Sequence, residues 1–110
     1  MKDARERELL LSMADGQEIP SPTRQEIETA IRELNVAGHR FAILSRGKVG
    51  FVQCYAQGDD SFDLERQEGS LDAHYEARPR VTRAQVLEAF LAYADGQPIA
   101  LSVEWVPLEL

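Results

Sequence analysis

Apolar and polar positions along the chain follow two periods, one helical and one alternating, and the switches between them set the predicted elements. Over residues 3–14, Leu9, Leu10 and Met13 share one side. The pairs Lys2/Glu6 and Asp3/Arg7 fall four residues apart and Gly16 follows as a stop, which predicts a first helix. Ile19-Pro20-Ser21-Pro22 interrupts any continuation. Thr23 with Glu26 three positions on has the spacing of a capping box. Ile27, Ala30, Ile31 and Leu34 then recur at i, i+3, i+4 and i+7, and Gly38 closes a second helix.

From His39 the period drops to two. Phe41 and Ile43 are followed by Val52 and Cys54 across Arg46-Gly47-Lys48, where the glycine suits a tight hairpin. Ala42, Leu44, Phe51 and Tyr55 make the opposite face apolar too, to be covered either by the first helix or by a partner chain. Two more strands, over 61–68 and 71–77, flank Gly69-Ser70, a pair suited to a two-residue type II′ turn. That turn sets Leu64 opposite Tyr75 and Phe62 opposite Ala77 on the inner face. On the outer face it sets Glu65 opposite His74 and Asp63 opposite Glu76. After Pro79, Thr82 with Gln85 repeats the capping-box spacing. Val86, Leu87, Phe90, Leu91 and Tyr93 build a third helix that ends at Asp95-Gly96, and Ile99, Leu101, Val103 and Trp105 alternate as a last strand.

The predicted fold is α+β, with about five strands in a mainly antiparallel sheet, helices packed mainly on one face, and the order α-α-β-β-β-β-α-β. Strand order and the direction of the last strand stay open. Residues 1–110 form one domain in this reading, with the helix and turn of 1–20 at its periphery. Ala14-Asp15-Gly16-Gln17 recurs as Ala94-Asp95-Gly96-Gln97, and Thr23-Arg24 as Thr82-Arg83. The two recurrences have different offsets, so they read as one helix-stop and one helix-start device used twice, not as a duplication.

Charge and chemistry narrow the function classes. A net charge of −7 repels phosphate backbones and anionic lipid, arguing against nucleic-acid and membrane partners. The lone Cys54, the charged start Met1-Lys2-Asp3-Ala4-Arg5-Glu6 and the shortness of Leu9-Leu10-Leu11 point to a cytoplasmic protein with no membrane span. No phosphate-binding glycine pattern is present, so no cofactor is expected. His39, Cys54 and His74 are too dispersed for a metal set, and Asp59-Asp60-Ser61-Phe62-Asp63-Leu64-Glu65 lacks the glycine and the final glutamate of a calcium loop.

No serine has a nucleophile context, which leaves Glu65 and His74 as the best acid–base pair, more simply read as an exposed charge pair. Asp59, Asp60, Asp63, Glu65, Asp72 and Glu76 concentrate the excess negative charge against Arg66, and form a candidate docking face for a basic protein. Arg78, Arg80 and Arg83 gather at the start of the third helix as a candidate anion site, or as partners of those acids.

The short patterns Gly50-Phe51-Val52-Gln53, Phe62-x-Leu64-Glu65 with Gly69, His74-Tyr75, Phe90-x-x-Tyr93-x-x-Gly96 and Glu104-Trp105 are spread over residues 23–106. Together they resemble small bacterial immunity-type proteins, which neutralise toxins of polymorphic or contact-dependent secretion systems. The resemblance implies a cytoplasmic, non-catalytic protein that occludes a toxin's active site, often with acidic residues against a basic nuclease cleft. It transfers no residue roles. Two other classes stay open: a homodimer or other homo-oligomer paired through the apolar outer face of the first hairpin or an edge strand, and a small enzyme using Glu65 and His74.

Overall fold

The computed structural model describes residues 8–47, 50–68 and 73–108. Nine elements follow one another: β1 (Leu9–Met13), β2 (Glu18–Pro20), α1 (Arg24–Arg32), β3 (Phe41–Arg46), β4 (Gly50–Gly58), β5 (Ser61–Gln67), β6 (His74–Arg78), α2 (Arg83–Ala94) and β7 (Glu104–Pro107). The strands form one sheet in the order β2-β1-β3-β4-β5-β6-β7, and every neighbouring pair is antiparallel. The fold is α+β, but the sheet has seven strands where the sequence pattern predicts about five, and the order is β-β-α-β-β-β-β-α-β.

The largest correction is at the start. The described part of the predicted first helix is a strand, β1, paired with β2 on one side and β3 on the other. Residues 3–7 of that prediction lie outside the described residues. Gly16, at φ +87°, is the left-handed residue of a three-residue hairpin loop, with Gly16 N–H donating to Met13 O and Met13 N–H to Gln17 O, both at 3.0 Å. Leu11 is fully buried between Ile19 and Leu44 in the ladder, a gain in sheet packing that an isolated, weakly amphipathic helix would not offer.

Both helices begin where their capping boxes lie. Thr23 and Thr82 accept from the N–H of Glu26 and Gln85, whose side chains accept in return from the cap N–H groups. α2 ends with Gly96 at φ +71°, its N–H on Tyr93 O and the Gln97 N–H on Ala92 O. The helices pack together on one face of the sheet. There Ile27, Ile31, Val86 and Phe90 meet Leu11, Leu44, Val52, Leu64 and Phe62, all essentially without exposure. Arg46 ties the two layers by donating to Tyr93 O and Ala94 O at 3.2 Å, while Arg66 links β5, β6 and β7 within the sheet, lying over the rings of Tyr75 and Trp105 and pairing with Glu68.

Three features of the strands differ from expectation. In the first hairpin Arg46 pairs with Gly50, an even number of positions apart in the chain, so Phe41 faces Tyr55 and Ala42 faces Cys54. That even separation puts Ala42, Leu44, Val52 and Cys54 under the helices and turns Phe41, Ile43, Phe51 and Tyr55 to the other side, a different sorting from that predicted. Between β5 and β6 the pairs are Glu65/Glu76, Arg66/Tyr75 and Gln67/His74, a slip of two residues from the expected ladder. The proposed Gly69-Ser70 turn lies outside the described residues. A slip of two keeps each side chain on its face, so Phe62, Leu64 and Ala77 are still inside.

The last strand is the third. Ile99, Leu101 and Val103 pack half-buried against the core, but only Glu104–Pro107 joins the ladder, with Trp105 beside Ala77. Alternation there reports burial and not pairing.

Candidate binding face

Among the described residues, one side of the sheet carries both helices and the other carries none. The uncovered side holds Ser12, Ile43, Gln53, Glu65, Glu76 and Val106 in one row across the strands, each directly opposite the next. A second row runs from Phe41 through Tyr55 to Asp63, and a third from Ser45 through Phe51 and Gln67 to His74. The apolar and aromatic side chains Phe41, Ile43, Phe51 and Tyr55 of these rows therefore lie on β3 and β4, and the acids Asp63, Glu65 and Glu76 on β5 and β6.

Polar side chains on this side are joined across strands. Glu65 Oε1 accepts from Gln53 Nε2 at 3.1 Å and lies 2.8 Å from His74 Nε2. The Glu65–His74 contact foreseen in the sequence exists, but diagonally, since Glu76 is the residue opposite Glu65. His74 is only 8% exposed, and the Phe51 ring meets it edge-on at 5.5 Å. Asp63 accepts from Gln57 Nε2 at 2.7 Å and from Arg80 Nε at 3.0 Å. Gln57 reaches it because the β4–β5 register shifts between Ala56 and Gly58, leaving one extra residue in β4.

Between β3, β4 and β5 this side is indented by a hollow of about 300 Å³, whose lining, besides Cys54, is made by Phe41, Ile43, Gln53, Tyr55, Asp63 and Glu65. Phe41 and Tyr55 lie nearly parallel, 6° apart in plane with centroids at 6.3 Å, and Tyr55 is 40% exposed. The Arg40 guanidinium sits 4.7 Å from the Tyr55 centroid.

The six acids singled out from the sequence do not form one face. Asp63, Glu65 and Glu76 share the uncovered side. Asp59 and Asp60 lie in the β4–β5 turn at the start of α2, where Asp59 O accepts from Arg83 Nη2 and Asp60 Oδ1 from the Arg83 N–H, both at 2.8 Å. Asp72 lies outside the described residues. The three arginines also part company. Arg78 Nε is 3.9 Å from Glu76, Arg80 is on Asp63, and Arg83 donates to the carbonyls that end α1. The anion position at the N-terminus of α2 is filled by Asp60 of the chain itself.

Phe41, Ile43, Gln53 and Tyr55 were not singled out as site residues from the sequence. The signal that would have found them is the parity of the chain separation between the paired residues of β3 and β4, which decides the side to which those strands turn their aromatics. Cys54 is on the helix side, and burial pushes its thiol up to about 12, with its bond to the Ala42 backbone and the charge of Arg83 pulling the other way. It is a core residue, separated from His74 by the sheet. Among the described residues no three His, Cys, Asp or Glu side chains converge on one point, and no helix is long and apolar enough to cross a membrane. Comparison with protein-family models, with curated proteins and with solved structures finds no match.

Proposed function

We propose that this chain is a small, non-catalytic, cytoplasmic protein that binds a basic protein partner on the uncovered side of its sheet, in the manner of an immunity-type protein occluding a toxin. The observation that carries this reading is the Glu65–Glu76 pair, two carboxylates directly opposite each other on a sheet face that no helix covers among the described residues. Like charges so placed oppose folding, and an arriving cation relieves them. The aromatic side chains beside them supply the apolar area that a charged contact alone lacks. Nucleic acid and membrane surfaces, both anionic, are poor matches for this face.

The reading predicts a stoichiometric complex with a basic protein that weakens as salt rises. It should be abolished by Lys at Asp63, Glu65 and Glu76 together, with the circular dichroism spectrum unchanged. A captured partner that binds the triple variant as tightly as the native chain sinks the proposal.

A second copy of the chain is the competing occupant, favoured by the exposure of Tyr55 beside Phe41. Light scattering separates the two: a monomer at high micromolar concentration removes the homodimer, and a dimer broken by Phe51→Asp supports it. For catalysis through Glu65 and His74, the imidazole would have to reach a substrate, and it is 8% exposed, edge-on to the Phe51 ring and outside the lining of the hollow.

A further inference from the structure

We infer that the hollow between β3, β4 and β5 seats a single arginine or lysine side chain of the partner, an inference that rests on the docking face proposed above. At about 300 Å³ the hollow stands at the lower end of the ~300–1,000 Å³ that ligand sites span, which suits one side chain better than a cofactor. Its chemistry is graded along its length. Phe41, Ile43 and Tyr55 give an apolar wall for an aliphatic stem, and Asp63 and Glu65 stand where a cationic head would arrive.

The same parts already hold guanidinium groups belonging to this chain. Arg40 lies over the Tyr55 ring at 4.7 Å, and Arg80 Nε is 3.0 Å from Asp63 Oδ1. Those two arginines largely satisfy Tyr55 and Asp63, and thereby direct an incoming head group elsewhere. Glu65 is the rim carboxylate with no arginine on it among the described residues: its contacts are Gln53 and His74, both on Oε1, and Glu76 faces it across the ladder. Glu65 is therefore the counter-charge of the seat, Gln53 and His74 hold it in place, and Glu76 strengthens the local negative field. An arginine or lysine anchored in a central, aromatic-walled hollow has the character of an interface hot spot.

The test uses the native chain and three small probes of one shape: n-butylguanidinium, neutral n-butylurea and anionic pentanoate, followed by NMR at the Ile43 methyls and the Tyr55 ring. Saturable shifts with the cation alone, weakened about five-fold or more by Glu65→Gln with other resonances unmoved, support the seat. Equal responses to butylurea, or none to the cation, overturn it. A partner complex that survives Glu65→Gln while cation binding is lost overturns the anchor and leaves the docking face standing. Cation binding in a chain whose partner complex ignores the triple charge reversal removes the docking face, and with it the partner's side chain as occupant of the hollow.

Discussion

The Asp60 carboxylate accepts the main-chain N–H of Arg83 at 2.8 Å, and that contact holds the first turn of α2 while the Arg83 side chain reaches the far end of α1. Its guanidinium donates to Ile31 O, Leu34 O and Asp59 O at 2.8–2.9 Å and lies 4.9 Å from the centre of Phe62. One residue thus closes the carbonyl end of one helix, starts the other and covers the core. Arg83→Ala should destabilise the protein by about 2–4 kcal/mol in urea unfolding, because several acceptors lose their donor at once. Arg83→Lys should recover less than half, since a single ammonium cannot span the same carbonyls.

Three glycines divide by backbone conformation and not by space. A methyl group at Gly16, Gly38 or Gly96 would meet nothing within 4 Å, yet Gly16 and Gly96 have φ of +87° and +71°. Alanine at either should cost about 1 kcal/mol, whereas Gly38→Ala should be neutral or stabilising by up to about 1 kcal/mol. Equal effects at all three positions in thermal unfolding would contradict this.

That division also shows what could be read from the sequence. Ala-Asp-Gly-Gln occurs twice, and each copy puts its glycine in the left-handed region, so a chain reversal at both places was legible. What differs is what precedes it. At Tyr93-Ala94 the reversal ends a helix whose capping box at Thr82 is also visible, while at Met13-Ala14 it joins two strands. Leu9-Leu10-Leu11 suits either period, and only pairing with Ser45 and Leu44 on β3, more than thirty residues on, decides for a strand. Of the six acids read from the sequence, Asp63, Glu65 and Glu76 fall on the candidate face, whereas its aromatics were not legible. Charge shows in composition, but the side to which Phe41 and Tyr55 turn depends on the chain separation of the paired residues.

A carboxylate pair kept for a partner should burden the free protein. Glu76→Gln removes the opposition to Glu65 without changing shape, and is expected to stabilise the unbound chain by about 0.5 kcal/mol at low salt and less at high salt. The same substitution should weaken the partner complex. A loss of stability in urea unfolding at low salt would mean that Glu76 is held mainly by Arg78.

The buried thiol sets an alkaline limit. Cys54 is raised from 9.0 to about 12 by burial, so the folded state holds this proton more tightly than the unfolded one. Its contribution to stability is complete below pH 9 and is lost as pH rises toward 12. Tyr93 is also raised, chiefly by burial and against the charge of Arg46, and acts with the same sign. Unfolding midpoints should fall above pH 9, more gently in Cys54→Ala, and the native thiol should resist alkylation at pH 8 until denaturant is added.

The outermost strands, β2 and β7, are the shortest in the sheet, and each begins with a glutamate and ends with a proline, Glu18 to Pro20 and Glu104 to Pro107. Proline brings no N–H to a growing ladder, and a charged, brief border offers a poor template for another chain's strand. Lateral growth into fibrils or ribbons is thereby discouraged at both margins, and encounters with other molecules are directed to the broad side of the sheet.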